Sequence, residues 1–233
     1  MNNSEENSVP IIISVGGSLI VPNAIDVEFL RTFKDIILKH IGNGKRFVII
    51  CGGGKTARHY QDAAREVKSL TADDLDWLGI HSTRLNGHLV RTIFHDHAHP
   101  EIVKNPHEDV RFRESILVAA GWKPGFSTDY DAILLARNLD AKKMVNLSNI
   151  NYVYDKDPNK FDDAKPLRNI TWQEFRKLIP SEWSPGLSSP FDPVASKLAD
   201  EIKMEVAIIN GKNLNELDNY LSDRDFTGTK ITS

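Results

Sequence analysis

Three short apolar runs, each followed at once by a glycine-rich turn, constrain the fold of this chain more than any other feature. The runs and their turns are residues 11–15 with Gly16-Gly17-Ser18, residues 47–51 with Gly52-Gly53-Gly54-Lys55, and residues 115–119 with the segment from Gly121 to Asp129. A continuous apolar run is typical of a strand that is covered on both faces, as in parallel sheets. The pattern therefore predicts strands whose carboxyl ends, with their turns, form a ligand-binding edge.

Segments with helical spacing of apolar residues separate the predicted strands. We predict helices over residues 26–41, 55–67, 71–97, 127–139, 192–203 and 213–221, further buried strands over 143–147 and 206–209, and an edge strand over 229–232. A capping box of Thr171 and Glu174 opens a short helix to residue 179, and Tyr152-Val153-Tyr154 forms a hairpin arm. Strands that alternate with helices predict an α/β fold with a mainly parallel central sheet sandwiched by helices.

The composition is that of an ordinary globular chain and excludes several classes. Charged residues make up 26% of the 233 residues and the net charge is −3, which gives no reason to expect a nucleic-acid partner. No apolar run approaches the ~20 residues that span a bilayer, and the polar start lacks the apolar core of a signal peptide. The single cysteine, Cys51, cannot form an internal disulfide. We therefore expect a cytoplasmic protein without a membrane or nucleic-acid partner.

Glycine-rich turns of this kind are suited to binding phosphate. Glycine lets the backbone approach a ligand closely, and the N-terminus of a following helix offers free N–H groups with a partial positive charge. Gly54-Lys55-Thr56 resembles the end of a Walker A loop, but the first glycine of that loop would stand at Ile49, inside a strand. The dinucleotide fingerprint G-x-G-x-x-G is also absent. The turns therefore predict a phosphate site, but one that belongs neither to a P-loop protein nor to a Rossmann dehydrogenase.

The turns belong to six longer motifs, and their order resembles the amino acid kinase superfamily, most of all its archaeal-type uridylate (UMP) kinases. The motifs are Ile12-Ile13-Ser14-Val15-Gly16-Gly17-Ser18, Gly52-Gly53-Gly54-Lys55-Thr56-Ala57-Arg58, Gly79-Ile80-His81-Ser82-Thr83-Arg84-Leu85-Asn86, Pro124-Gly125-Phe126-Ser127-Thr128-Asp129, Val153-Tyr154-Asp155-Lys156-Asp157-Pro158 and Asp192-Pro193-Val194-Ala195-Ser196-Lys197. The resemblance implies an amino acid kinase-like domain over residues 11–233, after a disordered arm over 1–10. Its acceptor-binding lobe would cover about 11–125 and its ATP-binding lobe about 126–233.

The resemblance also implies a reaction, transfer of the ATP γ-phosphoryl group to UMP to give UDP, with Mg²⁺. Such a transfer needs positioning and charge neutralisation more than covalent help. At the matching positions, the catalytic residues would be Gly17, Ser18, Asp129 and Lys197. The acceptor-binding residues would be Gly53, Gly54, Arg58, Asp76, Thr83 and Thr128. The ATP-binding residues would be Gly16, Gly17, Ser148, Asn149, Tyr154, Asp157 and Pro158, and no protein ligand for a metal is implied.

Within these sets the resemblance implies separate tasks. Backbone N–H groups of residues 16–18 would hold the transferred phosphate, and Arg58 would offer the acceptor phosphate a planar fork of donors. Asp76 would bind the ribose hydroxyls. Asp129 would order the phosphate-binding groups, and Lys197 would reach the ATP phosphates. Many N–H donors would thus share the charge of a diffuse transition state.

Three departures from the family pattern stand out. Ser14 occupies the place where many members have a lysine that stabilises the transferred phosphoryl group. Asn151 and Tyr152 replace an aspartate and a glycine of the ATP segment. Asp131 replaces a small residue two positions after Asp129; it either faces solvent, which we favour, or joins Asp129 in attracting a metal.

These departures keep two other functions open. One is a superfamily kinase that acts on a different small acceptor. The other is a non-catalytic relative that binds nucleotides or oxyanions, as the molybdenum-storage proteins of the superfamily do. Phosphoryl transfer to UMP would separate the first hypothesis from both.

Two further expectations concern assembly and metals. The resemblance implies a homo-oligomer, a hexamer, in contact through the helices at 26–41 and 71–97. His95, His97 and His99 alternate before Pro100, and on a helix only the first and last share a face. We interpret them as the polar end of a helix, where histidine complements the helix dipole, and not as a metal site.

Overall fold

The computed structural model describes residues 9–182 and 189–233. The strands are β1 (Ile11–Val15), β2 (Phe47–Cys51), β3 (Ile116–Ala119), β4 (Lys143–Ser148), β5 (Val153–Tyr154), β6 (Pro166–Leu167), β7 (Asn169–Thr171), β8 (Glu205–Asn210) and β9 (Thr229–Thr232). The helices are α1 (Gly17–Ile20), α2 (Val27–Gly42), α3 (Gly54–Val67), α4 (Ala72–Ile93), α5 (Thr128–Asn138), α6 (Trp172–Leu178), α7 (Pro193–Glu201) and α8 (Leu214–Leu221). Residues 1–8 of the predicted N-terminal arm lie outside the described residues.

Seven strands form one sheet in the order β3-β2-β1-β4-β8-β9-β7. The five strands from β3 to β8 are parallel, as predicted. β2 and β3 lie on one side of β1, and β4 and β8 lie on the other side. The strand order therefore reverses between β1 and β4. Ligands of open α/β sheets bind outside the carboxyl ends of the strands at such a switch point. The register pairs Val15 with both Cys51 and Leu147, which brings the turns that follow these strands side by side.

Helices cover both faces of the sheet, because alternate residues of its strands point to opposite sides. Ile13 and Val15 of β1 belong to a core that includes Phe33 of α2 and Leu217 of α8. Ile12 belongs to the second core, which includes side chains of α5, α6 and α7. The predicted α/β fold with a mainly parallel sheet sandwiched by helices is confirmed.

The helix starts follow from local sequence. Asp26 caps α2 by accepting a hydrogen bond from the Phe29 N–H at 2.9 Å. Thr71 and Thr171 each open a helix with a reciprocal capping box, and the box of Thr171 with Glu174 is the one predicted. Each capping side chain satisfies N–H groups that the helix leaves without partners.

Three features of the fold differ from the sequence expectations. The strand β9 lies inside the sheet, between β8 and β7, and the edge position belongs to the three-residue strand β7. The helix predicted to reach residue 97 ends at Ile93. Beyond the turn that follows, Ala98 and Val103 form isolated bridges to β3, with a bend at residues 100 and 101 between them. No helix within the described ranges is long and apolar enough to cross a membrane.

Candidate active site

The turns after β1 and β2 pack backbone against backbone. A Cβ atom at Gly17 would lie 2.1 Å from the Gly54 nitrogen and 2.5 Å from the Gly52 carbonyl carbon. Gly54 also has a φ of +63°, a left-handed conformation that favours glycine. These three glycines are therefore required by the close approach of the two turns, which we call the glycine cradle (residues 16–18 and 52–54).

The glycine cradle presents unused hydrogen-bond donors. Within residues 9–182 and 189–233, no protein group accepts a hydrogen bond from the N–H groups of Gly17, Gly53 or Gly54. Neither α1 nor α3 has a side chain capping its first turn. Free N–H groups at the start of the 14-residue helix α3 form a site for an anion. From behind, Asn86 holds the cradle by donating to the carbonyl oxygens of Gly52 at 2.7 Å and Gly53 at 3.3 Å.

The loop after β3, residues 120–127, is fixed to α4 by side chains. Thr83 donates to the Ile80 carbonyl oxygen at 2.6 Å and accepts from the Gly121 N–H at 2.8 Å. Arg84 donates to the Trp122 carbonyl oxygen at 2.9 Å. Because the hydroxyl of buried Thr83 is already used in both directions, the structure places it as a support of this β3–α5 loop.

Two more predicted acceptor residues lie at this loop. The carboxylate of Asp76 accepts a hydrogen bond from the Gly125 N–H at 3.0 Å, so it joins α4 to the far end of the β3–α5 loop. Thr128 is the first residue of α5, which Ser127 caps by accepting from the Tyr130 N–H at 3.1 Å. Both predicted residues are partly exposed and stand where the loop meets a helix start.

Aromatic side chains line the same loop. The rings of Trp122 and Phe126 lie 5.0 Å apart, and Phe126 stacks on Tyr130 at 5.3 Å. The ammonium group of Lys123 lies 4.0 Å from the Trp122 ring centroid, within the range of a cation–π interaction. No role for these side chains was predicted from the sequence.

The charged residues predicted to contact phosphate are exposed. Arg58 begins the second turn of α3, four residues after the glycine cradle, and has no acidic partner within the described residues. Lys197 lies on α7 and lines a cavity of about 360 Å³ together with Phe126 and Asp192. Ser18 is exposed and lines another cavity, of about 460 Å³, beside the starts of α2 and α8. The structure thus places Arg58 on the helix that starts at the cradle, and it places Ser18 and Lys197 at two other cavities.

A second cleft lies at the carboxyl end of β4. Its volume is about 410 Å³. It is lined by five of the predicted ATP residues, namely Ser148 at the end of β4 and Asn149, Tyr154, Asp157 and Pro158 after it. The other lining residues are Ile150, Tyr152, Asp155, Lys156, Asn159, Leu178, Ser189 and Pro190. Gly16 lies next to this cleft, because a Cβ atom there would be 3.9 Å from the Cα atom of Ser148. Its N–H group donates to the Leu147 carbonyl oxygen at 2.9 Å, so the expectation that this N–H holds a phosphate is wrong.

The two departures in the ATP segment fit the cleft without strain. Asn151 accepts a hydrogen bond from the Asn210 side chain at 2.8 Å, which ties the segment to the end of β8. Tyr152 packs edge-on against Tyr154 with the ring centroids 6.4 Å apart. Its backbone does not adopt a positive φ, so the glycine usual at this position is not required here. Tyr152 forms a wall of the cleft.

Asp129 lies beside Ser14 and Asp192 at the switch point. The buried Ser14 hydroxyl donates to its carboxylate at 3.4 Å, from the position where a lysine is usual. Although the residue as a whole is partly exposed, burial of its carboxyl group raises the pKa of Asp129 to about 7, and the negative charge of Asp192 adds to this shift. With serine in place of lysine, Asp129 is readily protonated near neutral pH.

Asp131 contradicts the expectation that it faces solvent. Its side chain is on the buried face of α5 and the residue is 1% exposed. Its Oδ2 atom accepts from the Trp122 N–H at 3.0 Å, and its Oδ1 atom has no partner. Burial raises the pKa of Asp131 to about 7. The α5 helix turns by about 100° per residue, so two positions after Asp129 the side chain points into the core.

Sequence reasoning missed the role of Asp192. Its Oδ1 atom caps α7 by accepting from the Val194 and Ala195 N–H groups at 2.6 and 2.8 Å. Its Oδ2 atom accepts from the Ser127 hydroxyl at 2.5 Å, so the starts of α5 and α7 are joined. The signal was present as an aspartate before a proline, the pattern of a helix start.

The described residues contain no group of three or more side chains suited to hold a metal ion. Of the histidines before Pro100, His95 and His99 pair with different carboxylates. His99 pairs with Glu114 at 3.1 Å and exposed His95 with Asp96 at 3.2 Å. His95 and His97 lie in the turn that follows Ile93, as their interpretation as a helix end predicts. His99 lies beyond this turn, and its N–H donates to the Ile116 carbonyl oxygen of β3 at 2.8 Å, so for this residue the interpretation is wrong.

Comparison with known proteins places this site in a family. The sequence pattern of the amino acid kinase family matches residues 10–210. The uridylate kinase of Sulfolobus acidocaldarius is 34% identical over 209 residues, which are 88% of this chain and 91% of that protein. The uridylate kinase of Methanobrevibacter smithii is 30% identical over 226 residues, covering 96% of this chain and 99% of that protein.

A solved structure shares the fold over nearly the whole of this chain. The crystal structure of uridylate kinase from Archaeoglobus fulgidus superposes with a TM-score of 0.80 and 26% identity, covering 96% of this chain and all of that chain. The glycine cradle, the switch point and the cleft after β4 therefore lie in a chain that belongs to the amino acid kinase family, with uridylate kinases of archaea among its relatives.

Proposed function

We propose that this protein is a uridylate kinase, an enzyme that transfers the γ-phosphoryl group of ATP to UMP and forms UDP. The observation that carries the proposal is the glycine cradle, whose free N–H groups lie at the switch point of the sheet. The curated relatives supply the acceptor, because several of them are named uridylate kinases and match most of this chain.

The acceptor is proposed to bind at the glycine cradle and the β3–α5 loop. Gly53, Gly54 and Arg58 would hold its phosphate, since free N–H groups and a guanidinium fork both suit phosphate oxygens. Asp76 and Thr128 would bind the nucleoside. Thr83 would act indirectly, by fixing Gly121. This assignment corresponds to an acceptor-binding lobe over about residues 11–125.

ATP is proposed to bind in the cleft after β4. Its base and ribose would pack against Tyr154, Asp157 and Pro158, with Ser148 and Asn149 at the floor. The cleft adjoins Gly16, so the γ-phosphate would reach the N–H groups of Gly17 and Ser18. This part corresponds to an ATP-binding lobe over about residues 126–233.

The transfer itself is proposed to depend on neutralisation of charge. Lys197 extends from α7, whose start is joined to α5 by Asp192, and would swing toward the phosphates. Asp129 would orient it, as an acceptor of hydrogen bonds. Mg²⁺, when bound, neutralises phosphate charge; it usually keeps several waters and binds through substrate phosphates with one or two carboxylates. That mode fits a chain whose described residues offer no dedicated metal cage.

A homo-oligomer, the hexamer implied by the resemblance, is also proposed. In the single chain, α3 has no buried residue, and it exposes Tyr60 and Val67 at 63% and 88%. The adjacent helix α4 exposes Leu85. These apolar side chains support an interface through α4, as expected from the sequence, with α3 added to it. Light scattering at several concentrations would measure the state.

Release of ADP from Mg-ATP tests the proposal, with UMP, CMP, AMP, GMP or no acceptor present. Turnover with UMP and not with AMP or GMP is the expected result. No turnover with any nucleotide, by a folded sample that binds ATP, would overturn the proposal and favour the non-catalytic relative. Turnover only with another small phosphate or carboxylate would favour a kinase for a different acceptor.

A further inference from the structure

Asp131 is a buried carboxylate with no cation beside it. It is 1% exposed, and within residues 9–182 and 189–233 no lysine, arginine or histidine pairs with it. Asp192, the cap of α7, acts on it with a charge of the same sign. Burial of a carboxylate without a partner is strongly unfavourable. An apolar side chain, like those of Ala132 and Ile133 that follow, would fill this space at no such cost.

Among the described residues, the one hydrogen bond that the Asp131 side chain makes is to the backbone of the β3–α5 loop. Its Oδ2 atom accepts from the Trp122 N–H at 3.0 Å. On the carbonyl side of Trp122, Arg84 donates to the oxygen at 2.9 Å. Trp122 is therefore held from α5 through its N–H and from α4 through its carbonyl oxygen. The same loop is tied at Gly121 and Gly125 by Thr83 and Asp76 of α4, and Asp131 adds a side-chain hydrogen bond from α5.

We propose that Asp131 is a positioning residue, which holds the Trp122 N–H and through it keeps the β3–α5 loop in the arrangement that binds the acceptor nucleotide. The inference rests on the proposed function, because it is there that the loop is assigned to the acceptor. Asp131 contacts no substrate in this arrangement. It acts on the acceptor site through the backbone of Trp122.

Asp131 acts as a hydrogen-bond acceptor and not as a charge. The charge of Asp192 acts on it, and this charge repels a second negative one. Burial raises the pKa of Asp131 to about 7, so its uncharged form is accessible at neutral pH. An amide of the same shape keeps an oxygen for the Trp122 N–H and removes the charge. An apolar side chain of the same shape removes the oxygen as well.

The experiment compares Asp131→Asn with Asp131→Leu, which have nearly the same size. Arg137→Ala, at an exposed position of the same helix, is the matched control. Amide hydrogen exchange of peptides covering residues 120–127 is measured without any substrate, and KM is measured for UMP and for ATP. We expect the leucine variant to exchange this loop about tenfold faster and to raise KM for UMP about tenfold, as the loss of one hydrogen bond to an ionisable group predicts. KM for ATP should change less than twofold, and the asparagine variant should match the wild type in all three measurements.

Three outcomes would overturn the inference: a leucine variant with wild-type loop exchange, equal rises in KM for UMP and ATP, or an asparagine variant as impaired as the leucine one. The last result would show that the charge is what matters. If the wild type has no activity with UMP, the proposed function fails on its own, and the exchange comparison still decides whether Asp131 holds the loop. If the leucine variant does not fold, Asp131→Ala takes its place, with folding checked by thermal unfolding.

Discussion

The two halves of the candidate site are built in different ways. The acceptor half is built from backbone: glycines of two turns in direct contact, and a loop whose peptide groups are held by side chains from α4 and α5. The ATP half is an open cleft of about 410 Å³, walled by the side chains that follow β4. A site made of backbone tolerates almost no change of residue, whereas a site made of side chains can vary. The departures Asn151 and Tyr152 lie in the second half.

The substitution Gly17→Ala gives the strongest test of the claim that the backbone-built half tolerates almost no change of residue. A methyl group there would meet the Gly54 nitrogen at 2.1 Å, and neither backbone can move without displacing a strand end. We expect unfolding free energy to fall by about 3 kcal/mol, at the upper end for overpacking, and turnover to fall at least ~100-fold through loss of phosphate N–H donors. Urea unfolding and ADP release measure the two effects.

Gly42→Ala is the matched control for this substitution. Gly42 ends α2 with no atom within 4 Å of the added methyl group, so stability should stay the same or rise slightly. Equal effects of the two substitutions would show that the cradle is not specially constrained.

Arg58→Ala tests the acceptor half at a side chain. Because a guanidinium-to-phosphate contact is a charge-assisted hydrogen bond, we expect KM for UMP to rise about 30-fold, equivalent to about 2 kcal/mol. KM for ATP should stay within twofold. Initial rates at varied UMP and fixed ATP provide the measurement. Arg65→Ala, on the same helix and paired only with Asp62, should leave both values unchanged; an unchanged KM for UMP in the Arg58 variant would remove this residue from the acceptor site.

The dependence of stability on pH should also differ between the halves. Asp131 has a folded pKa of about 7 against an ordinary value of 3.8, so the folded state binds more protons between these values and stability falls as pH rises through this window. Replacing it with Asn should reduce the loss of unfolding free energy between pH 5 and pH 8 by about 2 kcal/mol. Urea titrations at several pH values would show it.

Asp157, in the ATP half, is the comparison for that measurement. Hydrogen bonds from Asn159 lower the pKa of this carboxylate, so its contribution is lost only as pH falls below the ordinary range of aspartate. Asp157→Asn should therefore keep the wild-type slope between pH 5 and pH 8. If unfolding free energy changes equally with pH in the wild type, Asp131→Asn and Asp157→Asn, then Asp131 is not the cause of the loss of stability between pH 5 and pH 8.

The smallest effect is expected at Tyr152. If its ring is a wall of the ATP cleft, Tyr152→Ala removes aromatic contact surface and should raise KM for ATP about fivefold, in line with the usual contribution of one aromatic contact. KM for UMP should not change. Phe161→Ala, at an exposed ring outside the cleft, is the control. A lower KM for ATP in the Tyr152 variant would instead mean that the ring obstructs the cleft.

Much of the fold could be predicted, because buried strands and helices show as continuous or periodic runs of apolar residues in the sequence. The strand over residues 47–51 and the helix predicted over 26–41 match the observed elements within a residue or two, since each has an unambiguous period and a clear stop. The strands β6 and β7 were missed, because two or three residues cannot display a period. The interior place of β9 was also missed, as pairing between distant segments leaves no local trace.

The candidate site could be predicted only where backbone chemistry determines the residue. Gly17 and Gly54 are such positions, and the sequence motifs identified both. Asp131 was misread, because its neighbours in sequence do not reveal that its side chain meets the Trp122 N–H. Asp192 was recognised as part of a motif, but the hydrogen bond that joins it to Ser127 spans 65 residues and depends on the fold.

The place of β9 has a consequence for how the protein is made. The strand β7 pairs with β9 and with no other strand in the described part of the chain, and β9 is formed by residues 229–232. During synthesis, therefore, β7 cannot join the sheet until residues 229–232 have left the ribosome. Until then, the edge of β8 stays open and available to other strands. A truncation that removes residues 229–232 would leave that edge open permanently.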